Sequence, residues 1–265
     1  MKLIDTHSHL YLDVFREDRD AVLARAREVL ETIFLPNINT ASIPAVDELA
    51  AYAPGFCLPM MGLHPCDVRE GFEQELEQIY RHLTAPGRRY YGIGETGLDL
   101  YWDQTTLPLQ QEALRTQIQW AKALDLPIIL HARDAIDETT DLIAAAHDSR
   151  LRGIFHCFDG TAEQAARILE FGSFKLGIGG IVTYRKDVQA VVRDLPLASI
   201  VLETDSPYLP PEPHRKDKRR RNESSYTVYV ARQIAALKDL PEEAVAAATT
   251  AAAREVFPAW TPAAL

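Results

Sequence analysis

The sequence predicts an α/β fold, a single (β/α)₈ TIM barrel filling residues 1–265, and three observations lead there. Short apolar runs alternate with longer amphipathic stretches along the whole chain, the pattern of repeated β/α units around a parallel sheet. Eight such runs can be placed, and eight units in about 250 residues is the usual size of such a barrel. No low-complexity linker or break in composition divides the chain, so one domain is the economical reading.

Taken in order, the apolar runs fall at residues 2–4, 32–35, 56–61, 91–93, 128–130, 153–155, 173–176 and 200–202. Helical patterns lie between them at 19–30, 72–83, 107–124 and 161–171, several with Asp, Thr or Pro near the start. Residues 206–225 form the longest irregular stretch, rich in Pro, Arg and Lys, and loops of that length in a compact domain are usually functional or mobile. Residues 226–257 read as two helices, the second rich in Ala and expected against the barrel exterior.

Composition narrows the function classes. The chain is 47% apolar and 25% charged, an ordinary globular balance. Its three cysteines, Cys57, Cys66 and Cys157, are far apart and form no CxxC pair, which argues against a disulfide framework and a zinc ribbon. A reducing cytoplasm is the expected compartment, since MKLIDTHSHL has no long apolar leader region and no membrane-length apolar run occurs. A net charge of −10 argues against coating nucleic acid through a broad basic face. The run HRKDKRRR at 214–221 stands out against that acidity, and alone it reads as a solvated loop or a localisation signal.

Polar residues of metal-binding type recur just after the apolar runs. The first run leads into Asp5-Thr6-His7-Ser8-His9, where strand alternation points His7 and His9 to one side. One HxH pair is readily coincidence. Four further runs, however, end in Glu95, His131, His156 and Asp205. In a parallel barrel all strand C-termini open on one face, so residues distant in sequence converge there. Buried carboxylates need partners or metal, which makes six unrelated core residues the weaker explanation.

Six ligands exceed what one tetrahedral ion needs and suit two divalent cations sharing a bridge. Glu95 is the expected bridge, with His7, His9 and Asp205 on one ion and His131 and His156 on the other. Two dications carry +4 against −2 from Glu95 and Asp205, so the site is expected to be positive within an acidic chain. Imidazole-rich coordination suits zinc or manganese, whereas an oxygen-rich substrate suits magnesium.

The segments DTHSHL, GLHP, GIGETGLD, LHARD, FHCFDG and ETDSPYL occur in order and resemble the successive signatures of the TatD family of metal-dependent deoxyribonucleases. The resemblance runs from Asp5 to about Asn222 and implies a metal-dependent barrel hydrolase with magnesium-supported exonuclease activity on DNA. It also implies a substrate-facing role for His64, which follows the third apolar run and could contact a phosphate oxygen, shuttle a proton or simply be held by the Pro65 turn. Arg133 and Asp134 are candidates to orient ligand or substrate, while Asp99 and Asp103 read as loop-capping or ligand-supporting groups.

Two departures from the family pattern matter. The short loop ending RNEP is here an enlarged basic run with Arg221-Asn222-Glu223 kept and Ser224 in place of Pro, which adds weight to phosphate contacts from Arg215 and Arg221. An Asn common near the C-terminus is replaced by Ala252 or Ala253. Cys66 is either a thiol near the site or a packing residue.

The expected chemistry is attack of ion-activated water on a phosphodiester, with Asp205 as ligand and general base, Glu95 and His64 assisting, and Tyr101, Trp102 or Tyr208 stacking on a base. The expected partner is DNA, as a single strand or an end, bound by a monomer or weak oligomer. An alternative substrate is a small ester, lactone or aminoacyl-nucleotide, because the same ions polarise a carbonyl. A non-enzymatic repair adaptor with a vestigial site predicts lost ligands, and all six are present.

Overall fold

The protein is described here by a computed structural model covering residues 2–217 and 221–260. Eight strands alternate with helices: β1 (Leu3–Asp5), α1 (Arg19–Val29), β2 (Leu30–Pro36), α2 (Ile43–Tyr52), β3 (Cys57–Met60), α3 (Phe72–Leu83), β4 (Ile93–Asp99), α4 (Leu107–Leu124), β5 (Ile128–Arg133), α5 (Ile136–Ala146), β6 (Gly153–Phe155), α6 (Ala162–Leu169), β7 (Phe174–Ile178), α7 (Lys186–Asp194), β8 (Ile200–Leu202) and α8 (Thr227–Lys238). A ninth helix, α9 (Glu242–Val256), follows. The helix boundaries have local causes. Thr161 and Gln164 form a reciprocal capping box at the start of α6, and Pro108 lies in the first turn of α4, where its missing N–H costs nothing. In α3, Phe72, Leu76, Ile79 and Leu83 recur at helical spacing and make the buried stripe.

All strand pairs are parallel, in two arcs: β1–β2–β3 and β4–β5–β6–β7–β8. The arcs meet at two seams, through single bridges Met61–Ile93 and Ser8–Ser206. At these seams Gly94 N donates to Met61 O at 3.0 Å and Asp205 N donates to His7 O at 2.9 Å. The circle thereby closes into the predicted (β/α)₈ barrel.

Strand periodicity sorts the core. Leu3, Ile33, Leu35, Cys57, Ile128, Leu130, Phe155, Ile200 and Leu202 face outward beneath the helices. Their neighbours Ile4, Phe34, Leu58, Met60, Ile129, Ile154 and Val201 form a separate inward cluster.

That inward cluster corrects the placement expected for the last helix. Ala252, Ala253 and Val256 of α9, with Phe257 and Trp260 beyond it, pack into the cluster rather than onto the barrel exterior. Phe257 stacks on Phe34 with centroids 3.8 Å apart, and Trp260 meets the same ring edge-on at 6.1 Å. The physical reason is that apolar side chains at the strand N-termini need a lid, and alanines at 252 and 253 let a helix approach closely. It is α8 that lies outside, beside α7.

Candidate metal centre

The periodicity that points Ile129, Ile154 and Val201 inward carries on two residues further to His131, His156 and Glu203, at the opposite end of the barrel. β4 supplies Glu95, and the seam between β1 and β8 supplies His7, His9 and Asp205. Close strand approach demands glycine here: a Cβ on Gly97, at φ 143°, would sit 1.9 Å from the carbonyl oxygen of His131.

Glu95 is the hub. Its Oε2 lies 3.2 Å from His7 Nε2 and 3.4 Å from His9 Nε2. Its Oε1 lies 2.9 Å from His131 Nδ1, 3.2 Å from His156 Nε2 and 3.3 Å from His64 Nε2. Asp205 Oδ1 is 3.7 Å from His7 Nε2 and 3.5 Å from His9 Nε2. All six residues expected as ligands therefore meet, with His64 beside them. Among the described residues, three sets of donor atoms are tight enough for a metal ion: His7–His9–Glu95, His7–His156–Asp205 and His64–Glu95–His131.

The electrostatics follow from burial and from the imidazoles themselves. Among the described residues no Lys or Arg pairs with Glu95 or Asp205. Burial would raise Glu95, but His64, His7 and His156 override it and hold the carboxyl well below its usual range. Asp205 is lowered in the same way, against burial, chiefly by its hydrogen bond with His9. Burial would lower His9, yet Asp205 and Glu95 raise it to about 10. His7 is lowered, by burial and by the neighbouring His156.

Hydrogen bonds fix two of the imidazoles. The Tyr11 hydroxyl donates its proton to Pro36 O at 2.8 Å, so at 2.7 Å from His9 Nδ1 it can only accept. His9 therefore carries hydrogen on Nδ1, and in its neutral form turns a lone pair on Nε2 toward Glu95. His7 Nε2 lies 3.2 Å from that same nitrogen. Two imidazole nitrogens converging on one carboxylate oxygen fit a divalent cation. His64 is the reverse case. Its Nδ1 accepts the Cys66 amide at 3.0 Å, so neutral His64 carries its proton on Nε2 and faces Glu95 as a donor.

Other carboxylates support the ring. Asp99 Oδ1 accepts the amides of Tyr101 and Trp102 at 3.0 Å each, and its Oδ2 lies 2.8 Å from His131 Nε2. Burial opposes ionisation of Asp99, but His131 and the Trp102 amide bring it down to about 2. Asp103 caps the next turn through Thr105 N, away from the ligands. Glu203, fully buried behind His156, was not singled out from the sequence; counting by twos from Val201 would have pointed it inward.

The centre floors a cavity of about 670 Å³ lined by His64, Asp99, Trp102, Arg133, Arg185 and Tyr208, among others. Arg133 stacks on Tyr101 at 3.7 Å from the ring centroid. Asp134 is exposed and does not line the cavity. Arg215 lies over the ring of Tyr184, itself a lining residue, at 4.1 Å. Cys66 lines the cavity, but burial and Asp99 push its thiol up to about 12, which leaves no thiolate nucleophile at neutral pH.

Arg221 corrects the expectation of a phosphate contact. Its guanidinium is spent on Asp18, at 2.6 and 2.8 Å, and on Val14 O, and it packs on Phe15. Asn222 Nδ2 donates to the carbonyls of Thr204 and Tyr208, and Glu223 accepts two bonds from Arg25. The RNE triplet is thus an anchor for the loop root. Ser224, where the family pattern has Pro, donates to the buried Ser8 hydroxyl at 3.1 Å. Lys218, Arg219 and Arg220 of the basic run lie outside the described residues.

With this geometry in hand, the sequence profile of the family described as TatD related DNase matches residues 4–258. The chain belongs to the TatD family. It is 37% identical over 259 residues to the uncharacterized metal-dependent hydrolase YabD of Bacillus subtilis (strain 168), covering 96% of this chain and 98% of the relative. It is 32% identical over 248 residues to a protein named 3'-5' ssDNA/RNA exonuclease TatD from Yersinia pseudotuberculosis serotype O:3 (strain YPIII), covering 92% and 94%. The crystal structure of YjjV, a TatD homologue from Escherichia coli K12, matches with a TM-score of 0.88 at 30% identity, over 97% of this chain and 98% of that one. The protein is accordingly a TatD-family metal-dependent hydrolase on a (β/α)₈ barrel. Among its described residues no helix is long and apolar enough to cross a membrane.

Proposed function

We propose that this TatD-family chain holds two divalent cations and hydrolyses phosphodiester bonds at the ends of nucleic acid strands, DNA foremost. His7, His9 and Asp205 take one ion, His131 and His156 the other, and Glu95 bridges them. The observation that carries this reading is the division of Glu95: Oε2 faces His7 and His9, while Oε1 faces His131 and His156. Magnesium is the proposed ion for turnover, with zinc or manganese also suited to the imidazoles.

When bound, the ions lower the pKa of water and polarise the non-bridging oxygens of a phosphate. The protein's own groups do the rest. Asp205, whose carboxylate borders the cavity, takes the proton of the attacking water. His64 stays outside the ligand set because its Nε2 carries hydrogen, and donates to a phosphate oxygen. Arg133 and Arg215 add cationic character at the rim. Trp102, Tyr101 and Tyr208 stand there 70%, 54% and 51% exposed, which suits stacking on unpaired bases. A cavity of about 670 Å³ suits a strand end better than a continuous duplex. The exonuclease name of the Yersinia relative agrees with this choice.

End-labelled single-stranded DNA incubated with magnesium, with and without chelator, tests the reading beside a panel of small esters and lactones. Stepwise shortening abolished by chelator supports it. Intact DNA together with ester turnover replaces it with the small-ester reading.

A further inference from the structure

We infer that Glu203 is a positioning residue that holds His156 in the tautomer and orientation needed by the second ion; the inference rests on the two-ion reading above. Glu203 is 0% exposed, and among the described residues no Lys or Arg pairs with it. Its Oε1 accepts the Cys157 amide at 2.5 Å and lies 3.3 Å from His156 Nδ1, an ion-pair contact that is the nearest acceptor to a nitrogen with no hydrogen-bond partner of its own. One oxygen therefore addresses the ring of residue 156 and the backbone of residue 157. Cys157 sits at φ 48°, a left-handed conformation that a side-chain-bearing residue adopts only where its surroundings impose it, and the Glu203 contact to its amide is part of that imposition.

The fold also makes room for this carboxylate. Glu203 Oε2 has no hydrogen-bond partner and faces Gly177 on β7, where a Cβ would sit 2.2 Å away. Any side chain at 177 would push the carboxylate from His156. The imidazole is held on its other sides as well: its ring stacks on His7 with centroids 3.8 Å apart, and its Nε2 is 3.2 Å from Glu95 Oε1. With a carboxylate at Nδ1, the proton of neutral His156 belongs on Nδ1, and the lone pair on Nε2 points into the centre. A ligand histidine backed by a carboxylate is fixed in orientation and made a better donor.

The test is a cobalt(II) titration of the metal-stripped protein, followed by its visible absorption and by competition with a chelator. Wild type should take up two equivalents. Glu203→Gln, which keeps volume but removes charge, should bind the first equivalent with unchanged affinity and the second roughly 10–100-fold more weakly, with an altered spectrum for that second ion. Gly177→Ala, whose added methyl meets the Glu203 carboxylate first, at 2.2 Å, and the His156 backbone only at 3.1 Å, should weaken the same equivalent through displacement of Glu203, and it carries the test if Glu203→Gln does not fold. Unchanged affinity for both equivalents in both variants overturns the inference, as does equal weakening of both ions, which marks a purely structural role. Fewer than two equivalents bound by wild type is a different failure, that of the two-ion reading itself.

Discussion

At the strand N-termini the barrel interior is filled by Ile4, Phe34, Leu58, Ile129, Ile154 and Val201 under the lid of Phe257 and Trp260. Two residues further along three of those strands, the inward positions are His131, His156 and Glu203. The same backbone thus ends in a hydrocarbon plug at one face and in a cluster of imidazoles and carboxylates at the other. The plug asks only for volume and apolarity, since its contacts are not directional. At the mouth most polar atoms have a named partner: Tyr11 for His9, Asp99 for His131, the Cys66 amide for His64. Substitutions should therefore separate into those that cost stability and those that cost chemistry.

Asp205→Asn should show the largest effect. Turnover of labelled DNA is expected to fall roughly 10²–10⁴-fold while the melting temperature of the metal-free protein stays close to wild type. Retained turnover removes Asp205 from its proposed role. At the other end, Phe257→Ala leaves a void against Phe34 and should cost about 3–5 kcal/mol, or roughly 10 °C in Tm, with kcat unchanged well below melting. A loss of kcat without a loss of stability would show that the plug governs the mouth.

Metal removal sharpens the comparison. Ions that bind only the folded state add about 2.7 kcal/mol at a hundred times Kd, so chelator should lower Tm by an amount that grows with the metal concentration withdrawn. If the ends are independent, the Phe257→Ala penalty is the same with and without metal to within ~0.5 kcal/mol. A larger difference joins the two ends energetically.

The smallest effect belongs to the loop root. Burial would raise Glu223, but its hydrogen bonds from Arg25 hold it below the usual glutamate range. A depressed carboxyl stabilises the fold above its unfolded pKa, about 4.3, and that contribution is lost as pH falls through the folded value. Arg25→Ala should therefore remove ~1 kcal/mol at neutral pH and little in acid, because Arg25 is partly exposed. Melting curves taken between about pH 7 and pH 3 check this; a constant difference across that range contradicts it.

Much of this contrast was legible in the sequence. Eight apolar runs gave the strand order, and a ligand-type residue after five of them located the mouth. Residues whose role depends on what lies opposite were not legible. Arg221 belongs to a basic run that suggests phosphate, yet Asp18, about two hundred positions away, claims it. Alanines 252 and 253 look like an unremarkable outer helix until Phe34 and Ile4 are found beneath them. Glu203 was concealed by Asp205, the more familiar end of the same ETD triplet, although strand parity alone turns it inward.

The loop that follows β8 is pinned at both roots, by Glu212 N on Thr183 at one side and by Arg221, Asn222 and Glu223 at the other. Between those pins, none of the described residues from Pro213 to Asp217 forms a hydrogen bond or ion pair with a ligand or belongs to the plug. For a lineage, such a twice-pinned loop is a place where sequence can change without loosening the barrel that carries it. For an engineer, it is the segment to exchange between relatives when a new specificity is wanted on an unaltered barrel.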